Sequence, residues 1–546
     1  MSDQPSSPSE IAFPSRQPRT WLNAIVAAGT AITLVLTTTI FFISSTTTTP
    51  IQADSVIEGM DSAGTDGTAP TPEVSANESV TPPTVEIDNV VLVLADDLDW
   101  ALFNQVPRLA ALTEMGMTFT NHTVTDSLCC PSRVSIFRGQ YIHNHRVVSN
   151  IAETGGGWPT FRDRGEEKDC LPVWLQSAGV QTALYGKYLN DFPEKPKEAT
   201  YVPPGWSDWG VPISRGDAYS GYNYIMNENG KLRSYGNSPT DFLNDVITNK
   251  TTQFIRNVSS PFFVQLSTYS PHKPAPVADR NRSKQATTVA PRTPAYNTYG
   301  VNEPRWMQKI KPLSPRLLAK ADNQWRKRAR SAESVADSVE AVLATLKATG
   351  KDANTLVIVT ADNGYHMGER RMFKGKRTPF ASDTVVPMVL IGPGVPAGVK
   401  VNEMTSTIDL APTITDLIGG TAPNWVDGRS IKEFISTGIA PANWRNAALS
   451  ESLGVSTPKD PDYQKNAPPQ FFALRTPEWL YVEYKDGSRT LYNRISDPYE
   501  MVNVIDTADP VLVAFLSAQL KQLSTCSGDT CRVADSLEFP QPVPTN

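Results

Sequence analysis

Residues 90–99 read VVLVLADDLD and residues 356–364 read LVIVTADNG. Each opens as an unbroken apolar run of strand length, Val90–Ala95 and Leu356–Thr360, and each ends in oxygen-bearing side chains. Unbroken hydrophobicity marks a strand covered on both faces, as in a parallel sheet. Ahead of the second run, Ser331–Ala348 sets Val335, Val339, Val342 and Leu346 at helical spacing. A helix feeding a buried strand is α/β organisation. Parallel strands share one carboxyl edge, where open α/β sheets bind ligands. That edge would carry Asp96, Asp97, Asp362 and Asn363, with Asp99 close by. Three carboxylates and an amide are hard donors that suit Ca²⁺ or Mg²⁺ better than zinc. The competing reading of each pair is an ordinary turn former or helix cap.

The rest of the composition is consistent with a large globular body carrying additions. The chain has 546 residues, 40% hydrophobic and 19% charged, which excludes wholesale disorder. Fifty Lys and Arg against 56 Asp and Glu leave a net charge of −6, which argues against a nucleic-acid partner. Five cysteines exclude a disulfide-built scaffold. Forty-five prolines imply long irregular segments.

The additions begin at the N-terminus. Residues 21–43 are apolar apart from Asn23 and several threonines. At about 1.5 Å per residue they would reach about 34 Å, enough for a hydrocarbon core of about 30 Å. Arg16 and Arg19 precede this run, and no Lys or Arg follows before Arg108. That asymmetry predicts a cytoplasmic tail over 1–20, a single-pass transmembrane anchor over 21–43 and an extracytoplasmic remainder. A cleaved signal peptide is the alternative, and would give a secreted protein. Residues 44–85, rich in Ser, Thr and Pro, read as a disordered stalk.

A third element bears on chemistry. Residues 127–140 read SLCCPSRVSIFRGQ, a Cys-x-Pro-Ser-Arg box leading into a helix that ends at Gly139. This box resembles the signature of the sulfatase family. GKYLN (186–190), PHKP (271–274), DNGYHMG (362–368) and GPG (392–394) follow in that family's order. LCCPSR, YIHNH, GKYLN and DNGYHMG look most like its N-acetylglucosamine-6-sulfatase branch, which also includes arylsulfatases and extracellular heparan sulfatases. The resemblance covers residues 88–503. It implies an alkaline-phosphatase-like fold, in which a large mixed, mostly parallel sheet is sandwiched by helices. A catalytic domain would span 86–442, and a smaller C-terminal subdomain of antiparallel sheet plus helix would span 443–546.

The resemblance also implies the chemistry. Cys129 would be oxidised to formylglycine by a formylglycine-generating enzyme and would hydrate to a geminal diol. One hydroxyl would attack sulfur, and the other would later expel sulfate. Asp96, Asp97, Asp362, Asn363 and residue 129 would hold the metal, Ca²⁺ in most of the family and Mg²⁺ otherwise. Arg133 would support the nucleophile, Lys187 would contact sulfate, and His272 would assist departure of the alcohol. Counting back eleven residues from Pro387 makes Lys376 the second sulfate-binding lysine, with Lys374 the other candidate. Many sulfatases have a histidine two places after the GK lysine. Here that place is Leu189, followed by Asn190, a candidate substrate contact, so the base for sulfate release stays unassigned. His366, on the loop after DNG, is a second candidate substrate contact, whereas His143 and His145 read as structural. Pro131 as a first helical residue would place residue 129 just ahead of a helix N-terminus.

Between Lys273 and Arg330 fourteen Lys or Arg stand against Asp279, Glu303 and Asp322, a local excess of eleven positive charges in a Pro-rich stretch read as irregular. It is either a solvated loop or a field that draws sulfated glycan. Beyond Asn443, Phe471–Leu474, Trp479–Lys485 and Thr490–Arg494 alternate around Asp486-Gly487, a hairpin pattern, and a helix is predicted over 511–523. Cys526 and Cys531 could close a short loop, as could Cys130 with Cys170. The function implied is a sulfuric ester hydrolase acting on sulfated carbohydrate or aryl sulfates. The alternatives are a phosphodiesterase or phosphonate monoester hydrolase of the same superfamily, and a non-catalytic binder of sulfated glycans.

Overall fold

The strand ends predicted to bring carboxylates together do so because four parallel strands finish in register. The computed structural model describes residues 86–213 and 217–538. Ten strands form one sheet: β1 (Asn89–Ala95), β2 (Met117–Thr123), β3 (Gln181–Gly186), β4 (Asp208–Pro212), β5 (Ile225–Glu228), β6 (Lys231–Ser234), β7 (Phe262–Ser267), β8 (Thr355–Ala361), β9 (Met388–Ile391) and β10 (Lys400–Ser406). Their order is β10-β2-β9-β8-β1-β7-β3-β4-β5-β6. The central run from β8 to β4 is parallel throughout, and β9, β5 and β6 add antiparallel pairings. Ala95 pairs with Ala361, while Leu94 and Gly186 both lie opposite Ser267. The next residues of these strands, Asp96, Asp362 and Lys187, therefore emerge side by side.

Alternate side chains of β1 and β8 feed two cores. Val90, Leu92, Leu94, Leu356 and Ile358 pack with Val134, Leu175 and Ile414 from the helices Cys129–Arg138, Leu171–Ser177 and Leu410–Leu417. Val91, Val93, Val357 and Val359 pack on the other face with Ile247 of the helix Leu243–Asn257 and with Val335, Val339, Val342 and Leu346. Burial on both faces explains the unbroken apolar runs. The last four residues belong to a helix that spans Pro315–Ala348, sixteen residues longer at its start than predicted. Pro315 opens it behind the Ser314 cap, and Ala321, Trp325, Ala329 and Ala332 continue the buried stripe under the cationic run RKRAR. The expectation of irregular structure up to residue 330 is corrected accordingly.

The C-terminal strands β11 (Ala448–Ser452), β12 (Phe471–Arg475), β13 (Trp479–Tyr484) and β14 (Arg489–Asn493) form an antiparallel sheet in chain order. The helix Pro510–Leu523 packs on it through Leu516, Leu520 and Leu523. Cys526 and Cys531 are disulfide-bonded, whereas Cys130 and Cys170 are free and buried. The second pairing raised from sequence is thus absent. The helix after the CxPSR box begins at Cys129 itself, so Pro131 stands at its third position rather than its first. Its missing N–H is still among those with no partner in the first turn.

The predicted tail (1–20), anchor (21–43) and stalk (44–85) lie outside the described residues. Among the described residues no helix is long and apolar enough to cross a membrane.

Arg445 is buried and meets both Asp409 oxygens at 2.7 Å and Asp535 at 3.1 Å. Removing one partner of a buried ion pair typically costs about 3–5 kcal/mol. Arg445→Leu is therefore expected to lower the unfolding free energy by about that amount in a guanidinium titration. An unchanged midpoint would mean that this pair contributes nothing.

Candidate active site

The sheet edge delivers charged groups into a buried cluster around the Cys129 sulfur. Asp96 Oδ1 is 3.3 Å from Cys129 Sγ, and Asp96 Oδ2 accepts from Lys187 Nζ at 2.7 Å. Lys376 Nζ lies 2.7 Å from the same sulfur and donates to Asp97 Oδ1 at 2.6 Å. Two ammonium groups thus approach residue 129 from separate loops. Asp97 is held at a positive φ of 63°, with its N–H donating to Asp362 Oδ1 at 3.2 Å. Gly186, φ 110°, turns the chain toward Lys187 where a Cβ would come within 1.9 Å of the Ser267 carbonyl oxygen.

Arg133 links the helix to the strand ends. Its Nε donates to Asp362 Oδ2 at 2.7 Å, and its Nη1 donates to the Lys187 carbonyl at 2.9 Å and to Ser267 Oγ at 2.7 Å. His272 Nδ1 lies 2.6 Å from the Lys273 carbonyl and can only donate there, which leaves Nε2 to face Asp462 at 3.4 Å and Asp97 Oδ2 at 3.7 Å.

Burial sets the electrostatics. It would depress the lysines, but Asp96 raises Lys187 and Asp462 and Asp97 raise Lys376, so both stay charged. Burial and then Asp96 push the Cys129 thiol well above its ordinary value, which leaves the unmodified side chain a neutral thiol and a poor nucleophile. Burial would raise Asp362, and Arg133, Lys187 and Lys376 hold it below the usual carboxylate range instead.

The oxygens of Asp96, Asp97 and Asn363 suit a hard divalent ion. Asp96, Asp97, Cys129 and His272 place one ligand-type atom each within 4.8 Å of one another. Asp97 Oδ2 and Asn363 Oδ1 are buried oxygens without a hydrogen-bond partner, and Asn363 Nδ2 donates to Asp97 Oδ1 at 2.6 Å, which turns its oxygen the other way. Buried oxygens of this kind need a partner.

The two expected substrate contacts make no hydrogen bond to the cluster. His366 is fully buried, with Nδ1 3.0 Å from Asp383, and it exchanges backbone hydrogen bonds with Gly375. These contacts hold the loop that carries Lys376, and they leave Nε2 without a hydrogen-bond partner. Asn190 gives its carbonyl to the Trp158 N–H at 2.7 Å, and its Oδ1 is buried without a hydrogen-bond partner, so it makes no link to the cluster. Lys374 stands outside the cluster, where Lys376 takes the inner place. His143 and His145 are structural, His143 on Glu451 at 3.0 Å and His145 on Ser135 at 3.0 Å.

Three further residues went unnoticed in the sequence. Asp462, on the connection between β11 and β12, touches Lys273 at 2.9 Å, Asn150 at 3.1 Å and Lys376 at 3.2 Å as well as His272. Burial would raise it, yet Lys376 and His272 hold it well below the usual carboxylate range. Asn150 also accepts from the Cys130 N–H at 3.0 Å. Arg328 donates to the Asp97 carbonyl at 2.5 Å and to Asp99 at 3.1 Å, which buttresses the turn at Asp97. Nothing in local spacing marks any of the three.

A family model described as Sulfatase matches residues 88–420, and one described as N-sulphoglucosamine sulphohydrolase, C-terminal, matches 368–525. The N-acetylglucosamine-6-sulfatase of Capra hircus is 34% identical over 478 residues, covering 81% of this chain and 84% of its own. A solved complex with its substrate D-glucosamine-2-N,6-O-disulfate shares the fold with a TM-score of 0.69 at 19% identity, covering 83% of this chain and 99% of that one. A phosphonate monoester hydrolase from Silicibacter pomeroyi gives a TM-score of 0.59 at 25% identity, covering 80% and 94%. With the CxPSR cysteine set among these carboxylates and lysines, and with matches of this extent, the chain belongs to the sulfatase family and is a sulfuric ester hydrolase.

Proposed function

We propose that this enzyme removes sulfate from sulfated carbohydrate, using formylglycine at residue 129 as nucleophile and a divalent metal, Ca²⁺ before Mg²⁺. The observation that carries the reading is the approach of Lys376 and Asp96 to one sulfur, Cys129 Sγ, with Lys187 on the same carboxylate. The carbohydrate class is supported by the relatives, one named for N-acetylglucosamine 6-sulfate and one solved with a glucosamine disulfate.

Asp96, Asp97, Asp362 and Asn363 would hold the metal, with residue 129 beside them; the ion would acidify the attacking hydroxyl and neutralise oxyanion charge. Lys187 and Lys376 bind the sulfate oxygens, because two buried ammonium groups that keep their protons favour a dense anion. Arg133 fixes the carboxylate edge against the helix. His272, its Nδ1 proton committed to the Lys273 carbonyl, presents Nε2 and hands a proton to the departing alcohol. On this reading residues 86–442 carry the chemistry and residues 443–546 form the C-terminal subdomain. Formylglycine is installed by a separate formylglycine-generating enzyme, while residues 1–20, 21–43 and 44–85 serve as cytoplasmic tail, anchor and stalk. The phosphonate monoester hydrolase likeness keeps phosphodiester cleavage as the competing reaction.

Mass analysis of the peptide across Cys129 is expected to show aldehyde in place of thiol. Cys129→Ala is expected to abolish turnover, and Cys129→Ser to accumulate a stable sulfated protein, since serine has no second hydroxyl to expel sulfate. Thiol at this position in active enzyme, or sustained turnover by the serine variant, refutes the nucleophile. Faster cleavage of an aryl phosphodiester than of an aryl sulfate would transfer the reading to the competing reaction.

Asp362→Ala and Asn363→Ala are expected to lose bound metal and activity together. Chelation should inactivate the wild type, and Ca²⁺ should restore it better than Zn²⁺, because the donors are oxygens. Recovery with zinc alone contradicts the assignment.

The anchor is tested by cell fractionation. Full-length chain is expected in the carbonate-resistant membrane pellet, and chain beginning at residue 86 in the soluble fraction. A mature protein whose N-terminus falls after residue 43 would make the segment a cleaved signal.

A further inference from the structure

Folding answers part of the positive excess over residues 273–330. Arg280 pairs with Asp245 and Asp337, Lys284 with Glu333, Arg292 with Asp322 and Lys273 with Asp462. Arg328 is buried against Asp99, and Arg330 gives its Nε to the Lys284 carbonyl. Eight of the fourteen cations keep no ion pair among the described residues, and Lys320 is one of them. It is exposed on the first turns of the long helix, and among the described residues it has no ion pair or hydrogen bond; its Nζ lies 5.8 Å from the centre of the Phe373 ring. Lys374, likewise without an ion pair, places its own Nζ 5.8 Å from the same ring. Two ammonium groups, one from the long helix and one from the ring's neighbour in the chain, thus each lie 5.8 Å from the centre of one half-buried aromatic ring.

Their position relative to the cluster follows from the chain. Lys376 turns inward to residue 129, and Lys374 stands two residues away, at most about 7 Å along the backbone. His272 faces the cluster, and Lys273 follows it directly. Holding like charges together costs free energy. Burial, and then Lys273, Lys320 and Arg328, lower the Lys374 ammonium below its ordinary value. Lys273 and Arg328 are answered by Asp462 and Asp99, whereas Lys320 and Lys374 have no carboxylate partner among the described residues, and such a pair is relieved by an anion from outside.

We propose that Lys320 and Lys374, set around Phe373, form a subsite for an anionic group on the sugar adjoining the one that carries the scissile sulfate. The apolar ring face takes the sugar's C–H surface, and the two ammonium groups take a carboxylate or a second sulfate. This rests on the carbohydrate reading above and deepens it: the substrate class becomes a polyanionic glycan rather than a neutral chain bearing one sulfate.

The test uses the full-length enzyme and four substrates. Three are disaccharides with 6-sulfated N-acetylglucosamine followed by a neutral sugar, a uronic acid or a sulfated sugar; the fourth is p-nitrophenyl sulfate. In low salt, wild type should show higher kcat/KM on either anionic disaccharide than on the neutral one. Lys320→Ala with Lys374→Ala should reduce kcat/KM on those by about tenfold, the sum expected of two partly exposed charge contacts. The neutral disaccharide and p-nitrophenyl sulfate should change by less than about twofold. High salt should flatten the wild-type preference. Loss confined to the uronic acid identifies a carboxylate site, and loss confined to the sulfated neighbour identifies a second sulfate site. Lys320→Gln alone, at an exposed helix position, carries the test if the double variant fails to fold. Equal kcat/KM on all three disaccharides in wild type, or equal loss on all four substrates, overturns the subsite while leaving the carbohydrate reading intact. Turnover of p-nitrophenyl sulfate with none of any disaccharide overturns the carbohydrate reading and the subsite with it.

Discussion

Three buried carboxylates, Asp96, Asp97 and Asp362, are brought within reach of one another by strand register, and the site is organised around that repulsion. At an effective dielectric of about 20, two like charges 4 Å apart repel by about 4 kcal/mol. Arg133 on Asp362, Lys187 on Asp96 and Lys376 on Asp97 answer the three in turn. Each cation comes from a different element: the helix after the CxPSR box, the end of β3 and the loop pinned by His366. The same charges that make the cluster tolerable aim two ammonium groups at residue 129. Compensation and catalysis are thus one arrangement, and it accounts for ammonium groups that remain protonated at full burial.

The C-terminal sheet enters the same balance. The connection between β11 and β12 sends Asp462 between His272 and Lys376, and Gln464 Nε2 donates to the Lys376 carbonyl at 2.6 Å. Arg377, the next residue, pairs with Asp460 at 3.2 Å on the same connection. Beneath it, β11 contributes Glu451, which accepts from the His143 N–H at 2.9 Å. A segment of 453–470 with few apolar residues would be a costly loop if it were free. Here its acids are used against cations of the larger sheet, so the loop that carries Lys376 is clamped from both sides.

What could be read from the chain beforehand follows a physical division. Asp96, Asp97, Asp362 and Asn363 were legible because unbroken apolar runs mark parallel strands, and parallel strands have one shared carboxyl edge. Cys129, Arg133, Lys187, His272 and Lys376 were legible only through resemblance, since no periodicity singles out a lone lysine. His366 and Asn190 each stand three residues past a site residue, and sequence proximity alone did not show that His366 is fully buried against Asp383 while Asn190 stays partly exposed. Asp462, Asn150 and Arg328 were invisible because they reach the site by tertiary closure, from a polar connection, a turn and a helix whose first half was hidden under the RKRAR run.

That run shows why sequence charge density is a poor guide to a protein's field. Eleven excess positive charges over residues 273–330 suggest a broad basic surface. Folding places Asp245, Glu333 and Asp337, which lie outside the stretch, against Arg280 and Lys284, and it buries Arg328 as a brace for the strained Asp97 turn. Eight of the fourteen cations still keep no ion pair among the described residues, and Lys320, one of these, lies by the ring of Phe373 on the loop whose Lys376 reaches the Cys129 sulfur. A field of that kind acts over a Debye length of about 8 Å at physiological salt. Within that range it can distinguish the charge of a neighbouring sugar.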